Sequence, residues 1–84
     1  MARKPKAPKL FLKDGTEALA HRKKLGLNQF DFWSRISVTQ SGGSRYESGR
    51  KLPRPVQSLL HFAYAPEDQA LSMLSYLRDQ QGTN

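Results

Sequence analysis

Apolar side chains recur at three- and four-residue intervals in five separate blocks, the spacing of short amphipathic helices. The first block follows Asp14-Gly15, read as a turn, with Thr16 as N-cap and Glu17 near the positive end of the helix. Ala18, Arg22 and Leu25 share a face there, and Gly26 ends the helix as a C′ glycine. Leu27 is expected to pack inward, and Asn28 caps a second helix over about 29–36 with Phe32, Trp33 and Ile36 as its inward stripe. Ser37-Val38 forms a turn, with Val38 between helices. Thr39 then caps a third helix running to about Ser48, which Gly49 closes. Pro53 and Pro55 suit the first turn of a fourth helix whose apolar face is Val56, Leu59, Leu60 and Ala63. Ala65-Pro66 breaks the chain. Glu67 and Asp68 then open a fifth helix, with Ala70, Met73/Leu74 and Leu77 at helical spacing and Leu71 and Tyr76 widening the stripe.

Five short helices with brief connections predict an all-α bundle. The expected organisation is a basic flexible arm over 1–9, a core domain over 10–65 and a C-terminal helix within 66–84 that ends in a frayed Gly82-Thr83-Asn84 tail. Pro5 and Pro8 keep the arm out of regular helix. Leu10-Phe11-Leu12 either caps the core or forms a dimer contact, and the sequence leaves both open. The fifth helix carries more apolar surface than so small a bundle needs, which points to dimerisation through Leu71, Leu74 and Leu77; simple cover for the core is the competing explanation.

The most informative stretch is 29–49. Two short helices joined by a tight turn, the second opening Thr39-Gln40-Ser41 with Arg45 one turn later, have the layout of a helix-turn-helix. Charge agrees with it. The 84 residues carry a net +7, but residues 1–54 hold thirteen Lys/Arg against four Asp/Glu, a balance of +9, and residues 55–84 balance to −2. A polyanion facing the basic part is the partner this asymmetry favours.

Length and composition exclude several classes. A chain this size buries roughly 60–65% of its unfolded surface, enough for one small core. It has no cysteine, hence no disulfide and no thiolate metal site, which suits the cytosol. No run approaches the roughly 18–20 apolar residues of a membrane span, and the basic N-terminus lacks the apolar region of a secretory signal. His21 and His61 sit on different helices without a carboxylate at ligand spacing, so partly buried or surface histidines are expected, with no metal site. Ser41, Ser44 and Ser48 lack a nucleophile elbow, and Gly42-Gly43 lacks the Gly-Lys-Ser/Thr of a phosphate loop. No catalytic constellation, cofactor or small-molecule effector is expected.

Arg22-x-x-x-Gly26-Leu27-Asn28-Gln29, followed by Val38-Thr39-Gln40-Ser41, Ser44-Arg45-Tyr46-Glu47 and Gly49, resembles the Cro/C1-type (XRE-like) helix-turn-helix repressors of phages and plasmids over residues 16–63. The whole-chain layout also resembles the KorC-type plasmid repressors. The resemblance implies a lambda-repressor-like fold with its helix-turn-helix at about 29–48. It further implies that Gln29 and its helix N-terminus face a phosphate, that Gln40, Ser41 and Arg45 point at base edges, and that Arg22 and Glu47 form an internal ion pair. Three positions depart from the pattern. Trp33 stands where a small residue is usual and Gly43 where an apolar one is usual, so the large and small partners are exchanged across the helix crossing. Ser37 takes a turn position that is usually glycine. Gly42 has no such partner: either it lets the backbone approach DNA closely, or it leaves the third helix loose until it binds.

By chemistry, Arg45 can bond guanine O6 and N7 and Gln40 adenine N6 and N7. Ser41 suits a base or a phosphate; Thr39 suits a cap that also touches phosphate. With Ser44, Arg50, Lys51 and Arg54, Gln29 and Thr39 make up the expected DNA-backbone contacts, and Arg3, Lys4, Lys6 and Lys9 of the arm either follow a groove or stay free. The expectation is a homodimeric repressor on a palindromic double-stranded DNA operator in the bacterial cytoplasm. An antitoxin that binds a toxin and represses its own promoter is the nearest alternative. A protein- or RNA-interaction module is the more distant one, and an enzyme the weakest.

Overall fold

The structure, a computed structural model, describes residues 7–81. Among them are five helices and no strand: α1 (Gly15–Leu25), α2 (Gln29–Ser34), α3 (Gln40–Glu47), α4 (Arg54–Tyr64) and α5 (Glu67–Gln81). The all-α expectation holds. Arg3, Lys4 and Lys6 of the arm and the Gly82–Asn84 tail lie outside the described residues; Lys9 is exposed.

Local chemistry sets most boundaries. The N-cap of α1 is Asp14, not Thr16: Asp14 Oδ1 accepts the Glu17 N–H at 2.9 Å, and Glu17 Oε1 accepts the Lys13 N–H at 2.7 Å. The carboxylate thus starts the helix two residues earlier than the threonine would. Gly26 (φ +74°) ends α1 in the left-handed region. Asn28 Oδ1 and Thr39 Oγ1 cap α2 and α3 by accepting the N–H groups of Asp31 (2.7 Å) and Gly42 (3.0 Å). α2 is shorter than expected because the Ile36 and Val38 N–H groups both fold back onto the Trp33 carbonyl, at 3.1 Å. Ser37 sits between them at φ +66°, a conformation that costs an L-residue roughly 1–2 kcal/mol.

The core gathers Leu12, Ala18, Phe32, Trp33, Ile36, Leu52 and Leu60. Trp33 is wholly buried against α3, and a Cβ on Gly43 would stand 2.3 Å from the indole Cδ1. The exchange of large and small partners read from the sequence is therefore a physical fit. Tyr64 stacks on Phe32 (centroids 4.3 Å apart, planes 8° apart) and donates its hydroxyl to the Phe32 carbonyl. Gly15 meets α3 more closely still: a Cβ there would fall 1.8 Å from the Tyr46 carbonyl oxygen.

Of the two roles open to Leu10-Phe11-Leu12, the structure assigns core cover, since Leu12 is buried. His61, expected to be partly buried or at the surface, is wholly buried and clamps this segment. Its Nδ1 accepts the Phe11 N–H at 3.1 Å, which makes Nε2–H the donor to the Gln69 carbonyl at 2.9 Å. One imidazole thus ties the N-terminal segment to the first turn of α5, and Met73 anchors that helix further along. Leu25, expected on the inward face, is exposed, because the half-buried Leu27 fills that end of α1 after the chain turns. Leu59 likewise faces outward, beside the buried Leu60.

Three glycine-to-alanine changes should rank sharply in urea unfolding. Gly15→Ala and Gly43→Ala each collide with neighbours that cannot give way and should cost at least about 2 kcal/mol. Gly42→Ala meets only Thr39 Oγ1 and Val38 Cγ1, both at 3.3 Å, and gains about 1 kcal/mol of helix propensity, so its midpoint should stay within about 1 kcal/mol of the parent. Equal losses at all three would contradict this packing.

Candidate nucleic-acid interface

The interface is built around α3, whose sequence divides by face. Gly43 turns inward to Trp33 and Tyr46 packs against the core; Gln40, Ser41 and Arg45 are exposed, and Ser44 is half-buried. Gln29, the first residue of α2, joins them: Gln29, Gln40, Ser41, Ser44 and Arg45 line one open groove. The structure thus brings together all three expected base-reading side chains and two of the expected backbone-contacting ones. Thr39 is exposed, with its hydroxyl occupied as the α3 cap. Arg50, Lys51 and Arg54 follow α3 as an exposed basic run; the Arg50 N–H returns to the Arg45 carbonyl at 3.0 Å. The place where a Gly42 Cβ would sit is against Thr39 and Val38, so glycine there leaves room for the cap and the turn.

Behind the groove lies a buried ionic centre. Glu47, the last residue of α3, has a side chain only 5% exposed. Arg22 grips it with two bonds, Nε–H to Oε2 at 2.7 Å and Nη2–H to Oε1 at 3.0 Å, and gives Nη1–H to the Leu27 carbonyl at 3.0 Å. The ion pair implied by the resemblance is therefore present. Two further donors were not anticipated. The Gln29 amide reaches Oε1 at 2.9 Å and the Trp33 indole N–H reaches Oε2 at 2.9 Å. Nothing local in the sequence signals them, though a tryptophan at a buried crossing needs an acceptor, and Glu47 is the acid one turn past Gly43. Gln29, expected to contact phosphate, thus already has an internal partner.

Burial pushes the Glu47 pKa up, but the hydrogen bonds from Arg22, Gln29 and Trp33, with the guanidinium charge, outweigh it and hold the carboxyl below its ordinary value of 4.5. The His21 imidazole is shifted down by burial and by Lys24, and it rests edge-on against Phe11 and Tyr64. No metal-holding cluster of His, Asp and Glu occurs among the described residues. No described helix is long and apolar enough to cross a membrane.

Residues 19–63, more than half the chain, match the RsaL-like helix-turn-helix domain. The chain belongs to that family. It is thereby placed among helix-turn-helix DNA-binding domains, and α2 and α3 of the RsaL-like domain are the two helices that the sequence outlined. No curated protein and no solved structure matches the chain.

The depressed Glu47 pKa carries a sign. The stabilisation is complete above about 4.5, where an unfolded carboxylate is ionised, and is lost as pH falls through the lower folded value. Resistance to thermal unfolding should weaken below about pH 4.5 in the parent, and the gap between parent and Glu47→Gln should narrow there. A gap independent of pH would mean that the charge is not what the centre uses. At neutral pH, Arg22→Ala should cost roughly 3–5 kcal/mol by leaving a buried carboxylate without its main partner.

Proposed function

We propose that this RsaL-like protein is a transcriptional repressor that binds a two-fold symmetric operator in double-stranded DNA as a homodimer. The observation that carries the proposal is the groove lined by Gln29, Gln40, Ser41, Ser44 and Arg45 on a helix-turn-helix of a DNA-binding family. Arg45 and Gln40 have the donors and acceptors to read guanine and adenine in the major groove, and Ser41 meets a base or a phosphate. Ser44, Thr39, Arg50, Lys51 and Arg54 take backbone phosphates and set register and salt dependence. Repression follows from occupancy of a promoter. The KorC-like layout of the chain favours a plasmid-borne regulator.

Dimerisation is proposed through α5. Leu71, Leu74 and Leu77 are 54%, 43% and 41% exposed, while Met73 on the same helix is buried in the bundle. So α5 has one face committed to its own core and a leucine stripe that the described residues leave about half exposed, a distribution that suits a second copy. Half-sites would then lie about one helical turn, roughly 34 Å, apart.

Selection of bound duplexes from random DNA at fixed salt tests the reading, and failure to enrich any sequence would overturn it. Arg45→Ala should relax preference at one base pair by about 1–3 kcal/mol and spare most non-specific binding, whereas Lys51→Ala should weaken all duplexes alike and reduce the salt slope by about 1. Leu74→Glu with Leu77→Glu should give folded monomers of weak operator affinity in sedimentation. Point changes serve better than truncation after Pro66, which would also remove buried Met73 and the Gln69 carbonyl that His61 binds.

A further inference from the structure

We infer that Glu47 is a positioning residue for base readout, fixing the Gln29 side-chain amide so that its carbonyl oxygen serves as an acceptor in the DNA-facing groove. This rests on the operator-binding role proposed above and deepens it.

A glutamine amide has a donor edge and an acceptor edge, and free in solution it presents either. Gln29 lines the groove with Gln40 and Arg45, yet its nitrogen is held at 2.9 Å by Glu47 Oε1. An ionised carboxylate only accepts, so a rotated amide would set oxygen against oxygen. Glu47 cannot move to accommodate the rotation either. Oε1 also takes Arg22 Nη2–H, and Oε2 takes Arg22 Nε–H and Trp33 Nε1–H, so three donors from α1 and α2 hold the group independently of Gln29. Its depressed pKa is consistent with an ionised, acceptor-only state at neutral pH. With one of the two amide N–H groups held by Glu47, the orientation of the amide is set and the Gln29 oxygen lies on its other edge. The chemistry it suits is a donor: an exocyclic amine of adenine or cytosine, or a neighbouring side-chain N–H that is itself reading a base. A phosphate, being an acceptor, is the wrong partner for that edge.

The test compares wild type, Gln29→Met and Glu47→Gln on the selected operator with each base pair replaced in turn, at one salt concentration. Gln29→Met keeps length and leaves Glu47 three donors, so folding should survive. It should lose about three- to tenfold preference at one or two adjacent base pairs and keep the rest. Glu47→Gln, which frees the Gln29 amide to turn, should lose preference at the same base pairs although Gln29 is untouched. Uniform loss on every duplex for Gln29→Met would make it a phosphate contact and overturn the inference; uniform loss for Glu47→Gln would make Glu47 structural only. Should Glu47→Gln fail to fold, the wild-type complex still decides. The Gln29 side-chain amide in a 15N–1H spectrum should keep its hydrogen bond to Glu47 with operator bound, and loss of that bond on binding would overturn the inference. If wild type selects no duplex, the DNA reading falls, and the inference falls with it.

Discussion

The Glu47 carboxylate is the constraint on which the helix-turn-helix geometry depends. A carboxylate at the last residue of a helix faces the negative end of the helix dipole, an unfavourable place for an anion. It is tolerable because four hydrogen bonds converge on it, from Arg22 on α1 and from Gln29 and Trp33 on α2. The start of α1, where Gly15 lies against the Tyr46 carbonyl, brings the positive end of another helix to the backbone of the last turn of α3. Each donor would be costly to bury without this acceptor, and the acceptor would be costly to bury without them. The angle between α2 and α3 is therefore fixed by polar satisfaction as much as by apolar packing.

The two ends of α3 are held differently. Its C-terminal end is fastened by Glu47 and by the packing of Tyr46. Its N-terminal end has the Thr39 cap, followed by exposed Gln40 and Ser41 and two glycines of low helix propensity. Gln40 and Ser41, two of the side chains proposed to meet DNA, sit on the lightly held end, whereas Arg45 stands beside the residues that fasten the other.

What was legible in the sequence was what depends on near neighbours. Asn28 and Thr39 as caps, Gly26 as a C′ residue and the inward stripe Phe32, Trp33 and Ile36 follow from local rules, and the structure has them. The Trp33–Gly43 exchange was legible because it broke a known pattern in two linked places. Asp14 displaced Thr16 as cap because two good capping residues stood two positions apart, and propensity alone did not rank them. The His61 clamp joins residues 50 positions apart, and the Gln29 and Trp33 bonds to Glu47 span 18 and 14. No periodicity encodes such contacts. Leu25 misled because helical spacing continues to the last residue of α1, whereas the core does not.

The Trp33–Gly43 contact also limits how this domain could be given a new target. A recognition helix taken from a relative with an apolar residue at position 43 would drive that side chain into the indole. Engineering or evolution could thus vary Gln40, Ser41 and Arg45 freely, but could not transplant α3 as a cassette without replacing Trp33 in the same step. Replacing Trp33 would in turn withdraw a donor from Glu47. Modularity in this domain stops at individual side chains and does not extend to the whole helix.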